Sequence, residues 1–131
     1  MTVSDPPEDP VERARAYYRA LDGGDYDLLA ALLAEEFVHE RPDMTLEGRD
    51  RFVRFMREER PRTDTSHPVD GVYRLAGGER GSQAGEGHAA ADTEVAVRGR
   101  LVGADGTELT GFVDVFSFED GLVRRLRTYV D

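Results

Sequence analysis

An aspartate lies inside the most apolar stretch of the chain, residues 112–118. Strand side chains alternate between two faces, so Asp114 is expected to share a face with Phe112 and Phe116. A carboxyl group among aromatic neighbours is poorly solvated, which favours its neutral, protonated form. A neutral carboxylic acid can donate a hydrogen bond, whereas an ionised one cannot. The sequence therefore predicts that Asp114 belongs to a site in an apolar pocket.

Sequence patterns in the first half of the chain predict three helices and a short strand. Asp9 and Asp25 are suited to begin the first two helices as N-cap residues, and Pro10 suits the first helical position. A glycine pair is typical of the end of the first helix, and proline of the end of the strand and of the third helix. The first helix is expected at residues 9–23, and the second begins at residue 25. The strand is expected at residues 37–41 and the third helix at about 49–61.

The second half of the chain predicts a series of strands, near residues 69–75, 87–102, 108–118 and 122–130. The Asp-Gly pairs at 105–106 and 120–121 are typical of hairpin turns. Residues 77–87 contain five glycines and are expected to form a mobile loop. Helices followed by antiparallel strands indicate an α+β fold with helices on one face of a curved sheet. Residues 1–8 are expected to be an acidic, proline-rich tail, and residues 9–131 a single domain.

The composition limits the classes of partner. The formal net charge of the 131-residue chain is −10, and all 17 basic residues are arginine. An acidic, lysine-free surface is typical of halophilic proteins, in which salt screens the repulsion, although high-GC codon usage also favours arginine. This charge argues against nucleic acid or an anionic membrane as the main partner. The acidic N-terminus and the lack of a long apolar run predict a cytoplasmic protein.

No motif in the sequence indicates a cofactor or a metal. The chain has no cysteine, and its glycine spacing does not fit a phosphate or dinucleotide loop. The histidines at positions 39, 67 and 88 are too far apart for a recognisable metal motif. The prediction is therefore that the protein uses neither a cofactor nor a metal.

The chain resembles the nuclear-transport-factor-2-like superfamily, which includes SnoaL-like polyketide cyclases and ketosteroid isomerase. The segments that carry the resemblance are YYRALDGGD at 17–25, LLAALLAEEF at 28–37, LEGRD at 46–50 and DVFSFEDGLV at 114–123. It covers the chain from about Asp9. It implies a cone-shaped α+β barrel in which three N-terminal helices pack on a curved, mostly antiparallel sheet. It also implies a pocket for a small apolar or carbonyl-containing molecule, and a homodimer formed through the outer face of the sheet.

The resemblance to ketosteroid isomerase implies roles for two residues. In that family, a first-helix tyrosine and a protonated aspartic acid late in the sheet form an oxyanion hole. Counting back from the turn at residues 24–25 places Tyr17 at the tyrosine position. Counting back from the turn at residues 120–121 places Asp114 at the aspartic acid position. Two such donors would stabilise the charge that develops on an enolate oxygen.

The general base of the isomerase has no direct counterpart in this chain. That base is an aspartate just before a proline, and here Arg41 precedes the proline, so steroid isomerisation by the known route is not expected. His39, two positions earlier on the same strand face, is the candidate base. Asp131 is a second candidate, because SnoaL-like cyclases place an acid on the late sheet. Arg41 would orient a carboxylate or second oxygen of the substrate, unless it pairs with Asp114 and ionises it.

Strand alternation and the resemblance together predict the walls of the pocket. The candidate wall residues are Phe112, Phe116, Leu126, Thr128 and Val130. The resulting prediction is a SnoaL-like, small-molecule-binding protein, and two functions are open for it. One is a cofactor-free isomerase or cyclase that acts by proton transfer next to a carbonyl. The other is a non-catalytic ligand-binding or dimerisation module of the same fold.

Overall fold

The computed structural model describes residues 7–60, 64–75 and 93–131. The glycine-rich segment 77–87, His88 and most of the predicted N-terminal tail lie outside the described residues. The described part contains three helices and a six-stranded sheet. This is the α+β architecture that the order of the sequence patterns predicts.

Helix α1 (Pro10–Gly23) begins and ends as its sequence predicts. Its N-cap is Asp9, whose Oδ2 accepts a hydrogen bond from the Glu12 backbone N–H at 3.2 Å. The helix is capped at its other end by Gly24, which adopts the left-handed conformation with φ of 72°. A residue with a Cβ is disfavoured there, which explains why glycine ends the helix.

The other two helices are short. Helix α2 (Tyr26–Leu32) begins after Asp25, whose Oδ1 accepts a hydrogen bond from the Leu28 backbone N–H at 3.1 Å. Helix α3 (Arg49–Arg54) continues into a π-helical turn, Phe55–Glu59. Both start close to their predicted positions; the capping aspartate marks the start of α2, whereas the N-cap of α3, Gly48, has no side chain to cap it.

Six strands form one sheet in the order β2-β1-β6-β5-β4-β3. Their bounds are Leu33–Glu40 (β1), Thr45–Glu47 (β2), Val69–Arg74 (β3), Thr93–Val102 (β4), Glu108–Glu119 (β5) and Leu122–Val130 (β6). All neighbouring pairs are antiparallel except β1 and β6, which are parallel. Within the described residues the edge strands β2 and β3 do not pair, so the sheet stays open. Register shifts interrupt the β1–β6, β3–β4, β4–β5 and β5–β6 pairings, and irregularities of this kind add bend and twist to a sheet.

Two parts of this topology differ from the sequence expectation. Strand β1 begins at Leu33, where the leucine pattern predicts helix, and Leu33 is buried at 1% exposure. A short run of buried leucines fits either element, so periodicity alone does not fix this boundary. Strand β2 had no predicted counterpart, because three residues are too few to show an alternating pattern.

The inner face of the sheet follows the predicted alternation of β5. Asp114 and the three phenylalanines of the strand are buried, whereas Val113 is 37% exposed on the outer face. Leu29, Phe37 and Phe52 are fully buried with them, so one core lies between the helices and the sheet. None of the helices in the described residues is long and apolar enough to cross a membrane.

Candidate active site

A cavity of about 510 Å³ is lined by residues of helix α1 and of the inner face of the sheet. Its lining includes residues of β1, β5 and β6, and the segment that leads into β3 also contributes. This volume lies within the range of sites that hold small organic molecules. The lining is mostly apolar and contains a few convergent polar groups.

The central polar group of the cavity is Asp114, which is only 5% exposed. Its Oδ2 accepts a hydrogen bond from the Tyr18 hydroxyl at 2.5 Å, and its Oδ1 accepts one from Thr128 Oγ1 at 2.5 Å. Thr128 Oγ1 also lies 2.8 Å from His39 Nε2. Four side chains from α1, β1, β5 and β6 therefore form one hydrogen-bonded chain, which we call the Asp114 network.

Burial has the largest effect on the ionisation of Asp114. It raises the pKa of the carboxyl group above its usual value, while the hydrogen bonds from Thr128 and Tyr18 act in the opposite direction. The charge of His67, when its ring is protonated, and the charge of Arg41 also oppose the rise. When the carboxyl group is neutral, its O–H can donate to the Tyr18 oxygen. The Tyr18 O–H is then free to donate to a ligand in the cavity.

A titration of Asp114 tests this environment. We expect the carboxyl carbon of Asp114, followed by NMR in protein labelled with carbon-13 aspartate, to titrate above the exposed range of about 4. Desolvation of the charged form is the physical reason. The Asp114→Asn variant assigns the resonance. A midpoint at or below the exposed range would contradict a pKa raised by burial and, with it, a neutral donor.

His39 is buried in the Asp114 network and is 4% exposed. Burial, and to a lesser extent the charge of Arg41, lowers the pKa of His39 to about 3. Its Nε2 is engaged with Thr128, and its buried Nδ1 has no hydrogen-bond partner among the described residues. A base with so low a pKa accepts protons poorly at neutral pH. The structure thus gives His39 an environment that opposes the base role predicted for it.

The tyrosine that contacts Asp114 is Tyr18, and the expected partner, Tyr17, makes no such contact. Tyr17 is also buried and lines the cavity, but its ring packs edge-on against Phe116 at 5.3 Å and stacks on Phe52 at 6.3 Å. Neighbouring helix residues point about 100° apart, so an error of one residue selects a different direction. The pairing of Tyr17 with Asp114 is therefore corrected to Tyr18. Burial raises the pKa of both tyrosines, so both hydroxyls remain protonated.

Arg41 does not pair with Asp114. Its Nε lies 3.4 Å from Asp43 Oδ1, and its guanidinium lies over the Phe55 ring at 5.5 Å. Because Asp43 is 67% exposed, this is a weak surface ion pair. Arg41 lines the cavity, so it remains placed to contact an oxygen of a bound ligand.

The predicted wall residues fall into two groups. Phe112, Thr128 and Val130 line the cavity. Phe116 and Leu126 do not, and both are fully buried in the core. Alternation assigns the inner face correctly for all five, but it does not say how far along that face the helices cover the sheet.

Asp131, the second candidate base, is exposed and does not line the cavity. Its backbone N–H donates to the Gly111 carbonyl at 3.2 Å, which continues the pairing of β5 and β6. Within the described residues, no group of three or more His, Asp or Glu side chains is arranged to hold a metal ion.

Sequence reasoning missed a close contact between His67 and Asp22 beside the cavity. His67 Nδ1 lies 2.6 Å from Asp22 Oδ1, and the His67 backbone N–H donates to Asp22 Oδ2 at 2.8 Å. His67 lines the cavity. The two residues are 45 positions apart, so no local pattern indicates the pair. The available signal was weak: Asp22 follows Tyr18 by four positions and shares its helix face.

The comparisons with known proteins agree with this fold. The sequence profile of the SnoaL-like domain matches residues 14–126. No curated protein matches the chain. A proposed ketosteroid isomerase from Kribbella flavida DSM 17836 is similar, with 25% identity and a TM-score of 0.69 over 90% of this chain and 74% of that one.

Two further solved structures share the fold at lower identity. A proposed polyketide cyclase from Sinorhizobium meliloti is 16% identical, with a TM-score of 0.67 over 88% of this chain and 92% of that one. A nuclear-transport-factor-2-like protein of unknown function from Cytophaga hutchinsonii ATCC 33406 is 15% identical, with a TM-score of 0.66 over 90% and 86%. Because the profile match spans most of the chain, the protein belongs to the SnoaL-like domain family.

Proposed function

We propose that the protein binds a small, mostly apolar carbonyl compound and catalyses cofactor-free proton transfer next to its carbonyl group, as an isomerase or an aldol-type cyclase does. The observation that carries this proposal is the buried Tyr18–Asp114 hydrogen bond in the lining of the cavity. A tyrosine backed by a carboxylic acid is a donor pair suited to a developing oxyanion. The likeness to a proposed isomerase and a proposed cyclase supports the same reaction class.

The chemistry follows from the Asp114 network. A carbonyl oxygen placed at the Tyr18 hydroxyl gains negative charge as a neighbouring C–H bond loses its proton. The Tyr18 O–H donates to that oxygen, and the neutral Asp114 donates to the Tyr18 oxygen. Thr128, which also contacts His39, donates to the other carboxyl oxygen. Because the donors are buried and already positioned, they stabilise the enolate more strongly than water does.

Two arginines in the cavity lining limit the substrate class. Arg41 and Arg60 both line the cavity of this strongly acidic protein. Arg60 also donates from Nη2 to the Leu21 carbonyl at 3.4 Å, which holds it against helix α1. Guanidinium groups bind carboxylates and other oxygen-rich groups. The proposed substrate therefore carries a carboxylate or a second oxygen besides the reacting carbonyl.

A phenol tests the donor pair because its phenolate resembles an enolate in charge and shape. We expect the wild-type protein to bind 4-nitrophenol as the phenolate, seen as a gain in its visible absorbance. Tyr18→Phe should bind it about 10- to 100-fold more weakly, since one hydrogen bond to a charged oxygen is lost. The matched control is Tyr17→Phe, which removes the neighbouring buried hydroxyl that does not contact Asp114.

The outcomes separate the two functions left open by the sequence. Equal losses in Tyr17→Phe and Tyr18→Phe, or binding of 4-nitrophenol without ionisation, would contradict the donor pair. Binding of the un-ionised phenol by all three proteins would favour a non-catalytic ligand-binding module, because such a module has no need to stabilise a charge.

A further inference from the structure

We propose that His67, oriented by Asp22, is the general base that removes the proton from the carbonyl compound. This inference rests on the proposed function, because it names the proton acceptor of the same reaction. It is carried by the geometry of the His67–Asp22 pair and by the position of that pair beside Tyr18.

Both oxygens of the Asp22 carboxylate hold His67. Oδ2 accepts the backbone N–H at 2.8 Å, and Oδ1 lies 2.6 Å from the ring Nδ1. A carboxylate can only accept, so Nδ1 carries the hydrogen in this contact. In the neutral ring, Nε2 then carries the lone pair. Within residues 7–60, 64–75 and 93–131, Nε2 has no hydrogen-bond partner, so it is available to accept a proton.

The backbone around His67 fixes the direction of its side chain. Ser66 forms a two-way β-bridge with Val102, with both N–H···O distances at 2.9 Å, and the Pro68 carbonyl accepts the Arg100 N–H at 3.0 Å. These bonds hold His67 in extended backbone between two paired residues. Its side chain and that of Leu101 both line the cavity. The ring is therefore positioned by paired backbone rather than by a free loop.

The His67 ring lies close to the oxyanion donor. Its centroid is 5.8 Å from the Tyr18 ring and 5.8 Å from the Phe112 ring, and both of those residues line the cavity. Asp22 follows Tyr18 by one helical turn on α1, so the two side chains share a helix face. One rigid helix thus fixes the donor and the carboxylate that orients the base. A small ligand in the cavity can contact both groups.

The proton transfer balances without any further reactant. Nε2 of His67 takes the proton from the carbon next to the carbonyl, and the C–H electrons form a carbon–carbon double bond. The carbonyl electrons move to the oxygen, where Tyr18 donates its hydrogen bond. The ionised Asp22 stabilises the imidazolium that forms. Return of the proton from His67 to another carbon completes an isomerisation. Alternatively, attack of the enolate on a second carbonyl forms a ring, and the alkoxide oxygen that results takes the proton from His67.

The other described histidine lacks these features. His39 has no carboxylate at its ring and uses Nε2 to contact Thr128. Its remaining nitrogen, Nδ1, is fully buried, whereas the His67 side chain is 16% exposed. Both histidines line the cavity, but of the two only His67 has a carboxylate at its ring and the more exposed side chain.

The proposal is tested by proton exchange of 2-tetralone, a small apolar ketone, in deuterium oxide. We expect the wild-type protein to accelerate exchange of the protons next to the carbonyl, measured by proton NMR. His67→Gln should slow the exchange about 10²- to 10³-fold, the usual contribution of a general base. Asp22→Asn should slow it on the order of 10²-fold, because an amide donor at Nδ1 favours the tautomer with hydrogen on Nε2. Asp70→Asn is the matched control, since it removes the carboxylate of an ion pair with Arg100 outside the cavity.

Two further measurements separate this proposal from the proposed function. His67→Gln should still bind 4-nitrophenol as the phenolate, which shows an intact fold and donor pair. Added imidazole should restore exchange to His67→Gly, an effect that a purely structural role would not produce. If the wild-type protein binds 4-nitrophenol without ionising it, the donor pair of the proposed function is contradicted. Normal phenolate binding combined with no exchange by the wild type, or with equal exchange in His67→Gln, overturns the base.

Discussion

Acidification is expected to destabilise the folded protein through His39. The unfolded residue takes up a proton near pH 6.5, whereas the folded residue does so only near pH 3. Between these values the unfolded state binds more protons, so stability falls as the pH falls. The slope from one such group is about 1.4 kcal/mol per pH unit. The stability that depends on a neutral His39 is present in full above pH 6.5 and is lost as the pH approaches 3.

Urea unfolding at about pH 7 and about pH 4.5 measures this effect, with His39→Gln as the comparison. The glutamine does not titrate, so the variant should lose less stability over this range than the wild type. Asp114 acts with the opposite sign, because burial raises its pKa and the folded state then binds the extra proton first. Asp114 is present in both proteins, so the difference between their losses of stability reports the contribution of His39. Identical losses would show that His39 titrates normally in the fold.

Phe116→Ala is expected to cost about 3–5 kcal/mol of unfolding free energy. Phe116 is fully buried, and its ring packs against both Tyr17 at 5.3 Å and Tyr18 at 5.9 Å. Truncation removes a large buried surface and leaves a void beneath the two tyrosines, because the surrounding sheet and helix can collapse only in part. Denaturant unfolding at neutral pH measures the change.

Val113→Ala is the matched control for this variant. Val113 lies on the same strand but on the opposite face, where it is 37% exposed, so its truncation should change stability by less than about 1 kcal/mol. Similar losses in both variants would mean that the strand faces are assigned incorrectly. A small loss in Phe116→Ala alone would place this residue on the cavity wall, as alternation first suggested.

The parts of the fold that the sequence predicts are those controlled by neighbours along the chain. Asp9 and Asp25 cap helices because their side chains reach N–H groups three residues away. Asp114 faces inwards because a strand alternates with a fixed period of two. The hairpin turn between β5 and β6 follows from residues 120–121, both of which adopt positive φ.

The parts that sequence reasoning missed depend on the rotation of a helix about its axis or on contacts between residues far apart in the sequence. Tyr17 and Tyr18 are both apolar enough to be buried, so only the rotation of α1 against the sheet decides which one reaches Asp114. The His67–Asp22 pair joins the end of a helix to the start of a strand, and neither residue lies in a chemical motif. The low pKa of His39 reflects burial, which a short strand in a sequence does not reveal.

The parallel pairing of β1 with β6 has a consequence for how the chain folds. Strand β1 reaches its place between β2 and β6 only when residues far apart in sequence meet. The contacts of the Asp114 network span 89 residues for His39 and Thr128 and 96 residues for Tyr18 and Asp114. Closing such long loops costs entropy before any contact is made, and chains rich in distant contacts fold slowly. Only the Asp114–Thr128 contact lies within the β5–β6 hairpin, so the rest of the site becomes available only after the topology is complete.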